Sequence, residues 1–159
     1  MNSKQWFAAH VSLVLVAGGV VAHARHEQKA SEKTALHSRA DGAWRLVSYK
    51  YRDADLTEVP KDQRNHQKYI TGGRFIWIDI DPKTKEIHSS AGGKYVLDGN
   101  TMKETPEFGL GAESVAIRGI EQTFTVKLEG DTLRQTGTLK FGGANPENMK
   151  LEEVWERVK

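Results

Sequence analysis

The chain contains no cysteine, which excludes disulfides, thiolate metal sites and the lipid-modified cysteine of a lipoprotein. Proline is scarce, with 4 in 159 residues, so few positions forbid strand pairing. Neither sign of charge dominates: 23 Lys and Arg stand against 21 Asp and Glu, for a formal net charge of +2. The two signs are interspersed, so no basic stripe is available for a phosphate backbone and no nucleic-acid partner is expected. The most apolar stretch, Val11 to Val21, is broken by Ser12, Gly18 and Gly19, and it falls short of the roughly 20 apolar residues of a typical membrane span.

What is present begins with that stretch. Lys4 precedes it and Ala22-His23-Ala24 follows it, the layout of a secretory signal peptide cleaved after Ala24. Trp6 and Phe7 ahead of the apolar core keep an uncleaved membrane anchor as the alternative. Residues 25–40 are polar, His-bearing and without apolar periodicity, and read as a linker. Residues 41–159 remain for one globular domain, which the 38% apolar and 28% charged composition suits. An exported domain without disulfides draws its stability from packing and strand pairing. A closed barrel answers both needs, because closure removes exposed sheet edges.

The domain reads as strands joined by hairpins. The first runs from about Ala43 to Arg52, with Trp44, Leu46, Ser48 and Lys50 on its inner face. Asp53 to Gln67 is polar, and Pro60 opens a short expected helix before the second strand. Lys68 to Thr71 and Arg74 to Asp81 are split by Gly72-Gly73, read as a bend or bulge. Glu86 to Ser90 and Lys94 to Leu97 join across Ala91-Gly92-Gly93 as one curved strand, and Asp98-Gly99-Asn100 signals a hairpin into Thr101 to Phe108. Gly109 to Gly119 reads as a second loop. Phe124, Val126 and Leu128 then share a face, Glu129-Gly130-Asp131 turns into Thr132 to Phe141, and the last strand covers about Met149 to Val158. The expected fold class is all-β: an antiparallel up-and-down barrel of about eight strands, the count that encloses one small ligand.

Enzyme motifs fail on inspection. Ala91-Gly92-Gly93-Lys94-Tyr95 lacks the earlier glycine of a phosphate loop and carries Tyr95 where Ser or Thr would bind magnesium. The histidines, His66 and His88 among them, show no metal-ligand spacing. Ser89 and Ser90 beside His88 have no nucleophile elbow around them. No metal and no cofactor are expected.

The more informative constellation follows from strand periodicity. With Arg157 inward over Trp44, period two places Trp155, Glu153 and Leu151 inside as well. Leu133, Gln135, Gly137 and Leu139 share one face of the preceding strand, and Glu104 shares a face with Met102, Pro106 and Phe108. Phe75 and Trp77 add aromatic walls. Phe75, Trp77, Glu104, Gln135, Glu153 and Trp155 are therefore the candidate pocket residues, an aromatic enclosure with a few convergent polar groups. Each acid also has a structural alternative, Glu153 by pairing with Arg157 or Lys150 and Glu104 by facing solvent. Arg74, beside the double glycine, is a candidate anion contact at the barrel mouth or a solvated strand start.

Gly42-Ala43-Trp44 at the start of the first strand and Trp155-Glu156-Arg157 at the end of the last carry a resemblance. At these residues the chain resembles the small exported bacterial lipocalin-like domains of the calycin group. The resemblance implies a barrel closed by Gly42, Trp44 and Arg157 in structural roles. Lys159 stands where cytosolic fatty-acid-binding relatives often carry a tyrosine, so a fatty-acid carboxylate site is not implied. The leading expectation is an exported module holding a small, partly apolar molecule in its barrel. Two alternatives stay open: a protein-binding or inhibitory domain acting through the loops at 53–67 and 109–119, and a barrel enzyme using Glu104 or Glu153 for acid-base chemistry.

Overall fold

The structure is a computed structural model that describes residues 39–62, 65–144 and 147–159. The expected signal peptide and residues 25–38 of the expected linker lie outside the described residues. Alternation of apolar and polar residues produces β1 (Gly42–Tyr51), β2 (Thr57–Glu58), β3 (Asn65–Thr71), β4 (Arg74–Ile80), β5 (Ile87–Asp98) and β6 (Thr101–Leu110). The short helix α1 (Ala112–Ala116) follows, then β7 (Gln122–Glu129), β8 (Thr132–Leu139) and β9 (Met149–Arg157). All pairings are antiparallel. The sheet runs β2-β1-β3-β4-β5-β6-β7-β8-β9, and β1 pairs β9 to close an eight-stranded barrel with β2 as an extra strand. This architecture fits a calycin-like fold.

The helix expected after the first strand is not found among the described residues; Asn65–Gln67 already belong to β3. Ahead of Pro60, the chain is drawn to β1. Its edge facing β3 is paired only from Gly42 to Arg45, which leaves the second half with unmet backbone groups. Thr57–Glu58 meet them by pairing with Tyr49 and Ser48, and the Val59 N–H donates to the Val47 carbonyl at 2.8 Å. The helix occurs instead between β6 and β7, where a loop was expected. These two strands pair only over Thr101–Glu104, and beyond them α1 and the buried Ile117 fill the seam. The Pro106 carbonyl accepts from the Gly119 N–H at 2.7 Å in place of a strand partner.

Gly72-Gly73 is a two-residue hairpin turn, not a bulge. Thr71 pairs with Arg74, and both glycines have positive φ, 54° and 77°, the backbone that a tight hairpin of matching twist requires. Three register shifts lie elsewhere, one between β4 and β5 that leaves His88 as the extra residue and two that reverse expected faces. The β1–β9 register shifts between Leu46 and Ser48, so Tyr49 and Tyr51 stand opposite the inward Glu153 and Leu151 and stack at 4.7 Å. Ser48 and Lys50 pass to the other face, opposite Val154 and Glu152. The β5–β6 register shifts between Gly92 and Gly93, which keeps Met102, Glu104 and Pro106 inside but turns Phe108 outward, 47% exposed. A period-two count cannot register such an extra residue.

The core fills the end of the barrel where β1 begins. Trp44 is fully buried and its indole N–H donates to the Ala40 carbonyl at 2.9 Å. Arg39 and Ala40, the last residues of the expected linker, are thus part of the barrel base. The Arg157 guanidinium stands 4.1 Å from the Trp44 ring centroid and donates to the carbonyls of Asp41 and Arg39. Such a contact contributes about 0.5–2 kcal/mol. Gly42 has a φ of 142°, and a Cβ there would collide with the Arg157 guanidinium, so glycine is needed twice over. Leu46, Ile70, Leu97, Met102, Val126 and Leu133 complete this packed layer. Replacing Trp44 with Ala is expected to cost about 3–5 kcal/mol of unfolding free energy, read by urea denaturation; retained stability would remove Trp44 from the closing role.

Candidate functional site

Halfway up the barrel the interior turns from apolar to polar. On β3, alternation places His66, Lys68 and Ile70 on the inner face, and all three are buried. Lys68 stands between Trp44 on β1 and Trp77 on β4 and is only 2% exposed. Its ammonium donates to Glu104 Oε1 at 2.7 Å and to Gln135 Oε1 at 2.9 Å, and lies 5.5 Å from the Trp155 ring centroid. Lysine has only donors, so Gln135 must present its oxygen, which leaves its amide nitrogen for another partner.

A second carboxyl lies in the same interior. Glu153 on β9 stands opposite Gln135 on β8, and accepts from the Tyr51 hydroxyl at 2.8 Å and from the Trp155 indole N–H at 3.2 Å. Burial pushes its carboxyl above the ordinary carboxylate range. The positive charge of Lys68 and the Tyr51 hydrogen bond offset that only in part, and the negative charge of Glu104 adds to it. The cluster thus combines an ion pair with a second carboxyl that holds its proton more tightly than usual.

Above the cluster is a cavity of about 110 Å³. Phe75, Trp77, Glu104, Gln135, Glu153 and Trp155, the six residues named from strand periodicity, all line it. Lys68, His66 and Tyr51 line it too, and these were not named from the sequence. His66 sits 5.2 Å from both Trp77 and Trp155, centroid to centroid. The signal for His66 and Lys68 was their parity with the apolar Ile70. For Tyr51 there was none, because the β1 bulge moves it inward. Leu139, Met149, Ser89 and the exposed Glu113 of α1 border the cavity towards the opposite end from Trp44.

Other expectations separate in space. Neither alternative partner of Glu153, Arg157 or Lys150, is bonded to it; Arg157 is engaged at the base with Asp131 and backbone carbonyls. Glu104 is buried, so it does not face solvent. Arg74 lies beside the hairpin at the closed end, not at the mouth, and pairs with Glu107 at 2.9 Å. His88 is turned towards Asp81 at 3.5 Å while Ser89 borders the cavity; the β4–β5 register shift leaves His88 as the extra residue. Among the described residues, no three His, Asp or Glu form a metal-holding group.

Two predictions follow from the buried charges. Lys68→Met strands the Glu104 carboxylate in the interior and is expected to cost about 3–5 kcal/mol, whereas the double variant Lys68→Met/Glu104→Met recovers most of that loss in urea unfolding. Equal losses in both would mean that the two side chains act independently. For Glu153, the folded carboxyl holds its proton to higher pH than the unfolded one, whose ordinary value is 4.5. Its contribution is therefore complete below that value and is lost as pH rises towards the raised folded value. Unfolding measured from about pH 4 to pH 8 should show the wild type losing stability relative to Glu153→Gln as pH rises. Parallel profiles would contradict the burial effect.

In comparison with known proteins, no family model matches the chain and no curated protein matches it significantly.

Proposed function

We propose that this domain is a lipocalin-like binding module that holds a small, partly apolar molecule inside its barrel. The observation that carries this is the cavity of about 110 Å³ in which aromatic walls meet a buried lysine, two carboxyls and an amide. A buried ion pair contributes little net stability beyond what packed apolar residues would give, so four such groups around one space favour recognition over mere filling. Pockets for drug-sized ligands enclose about 300–1,000 Å³, whereas an apolar cavity of about 150 Å³ accommodates benzene. At about 110 Å³ this cavity is smaller than that, so the occupant is of single-ring size at most, smaller than a fatty acid. A part-open interior also favours binding inside the barrel over a role confined to the loops. The apolar run Val11 to Val21 and the Ala22-His23-Ala24 motif support an exported location.

Native mass spectrometry of the gently purified protein tests the proposal, with Leu139→Trp as the control that fills the cavity from its half-buried border. The wild type is expected to carry a small extra mass that is lost on denaturation, and the variant to fold without it. Equal retention by both would place the molecule outside the barrel.

A further inference from the structure

The polar atoms around the cavity define the ligand's chemistry more closely, given that the barrel is a binding module. Glu104 accepts from Lys68 through Oε1, and no protein group among the described residues donates to its Oε2. Gln135 receives Lys68 on its oxygen, and no protein group among the described residues accepts from its amide N–H₂. Both residues line the same cavity and both are held by one ammonium. The site therefore retains an acceptor and a donor around one ammonium, each residue fixed in place by a bond already made.

Charge limits the choice further. The Lys68 ammonium is already matched by Glu104, and Glu153 is held towards its neutral form by burial. An anionic ligand would meet the Glu104 carboxylate, and among the described residues no Lys or Arg besides Lys68 lines the cavity to receive it, while a cationic ligand would meet Lys68. A purely apolar ligand of the same size would seal the Gln135 N–H₂ and Glu104 Oε2 away from water without partners, which a dry site penalises. The walls, Trp77, Trp155 and Phe75, present flat apolar faces that suit a ring.

We infer that the cavity takes a neutral, single-ring molecule whose edge carries a hydrogen-bond donor beside an acceptor, as in a lactam or cyclic amide. The ring N–H of such an edge meets Glu104 Oε2 and its carbonyl meets the Gln135 amide. Lys68 is a positioning residue that orients both partners.

Titration calorimetry of the full chain at pH 7 with three probes of similar size tests this: 2-pyridone, toluene and benzoate. 2-Pyridone is expected to bind at least about tenfold more tightly than either of the others, because a site built around hydrogen-bonding groups rejects analogues that leave them unpaired. Gln135→Leu should weaken 2-pyridone about tenfold and leave toluene unchanged or improved. If toluene or benzoate binds as well as 2-pyridone, the lactam inference is overturned while binding in the barrel stands. If none of the three binds, both readings fall. The probe series on the wild type decides the matter even where Gln135→Leu folds poorly.

Discussion

The ladder between the first and last strands is the constraint on which the rest depends. Once β1 pairs with β9, the inner faces of eight strands share a single interior whose width is set by strand number and tilt. At the base that interior is closed by Trp44, with the Arg157 guanidinium laid over its ring and Gly42 leaving the room for it. The same ladder carries the β1 bulge that turns Tyr51 inward to Glu153. Closure and site construction are thus two consequences of one strand pairing.

Within so narrow an interior, a lysine is tolerable only when every element around it cooperates. Lys68 comes from β3, its carboxylate partner from β6 and its amide partner from β8. The barrel brings these three strands to one level, and the aromatic rings of Phe75 and Trp155 cover the ammonium. Glu153, without a cation bonded to it, relieves the cost of burial by holding a proton more tightly. The outcome is a part-open chamber in which one matched ion pair and fixed hydrogen-bonding groups stand among aromatic walls.

Much of this was legible from alternation alone. Period two placed Gln135, Glu153 and Trp155 inside on β8 and β9 and grouped Phe124 with Val126 on β7; all five are buried, and Val154 is the buried residue of β9 that departs from this parity. Where the reading failed, an extra residue or a missing partner intervened. The bulge in β1 reversed Ser48 and Lys50 with Tyr49 and Tyr51, and that in β6 turned Phe108 outward. In the polar segment after β1, Thr57–Glu58 pair with its unpaired edge and Asn65–Gln67 belong to β3, which takes residues on both sides of Pro60 into the sheet. The seam between β6 and β7 drew a helix into a glycine-bounded loop.

The order of strands, the double-glycine turn and the inward rows of β7 to β9 were determined by the sequence itself, because they depend on neighbours in the chain: side chains alternate along a strand, and tight turns need particular residues. That Lys68 would lie between Glu104 and Gln135, 36 and 67 positions away, was decided only by the tertiary structure. Distances across a barrel follow from closure and register, and the bulge at Val47 in β1 changes register without a glycine or proline to mark it in the local sequence.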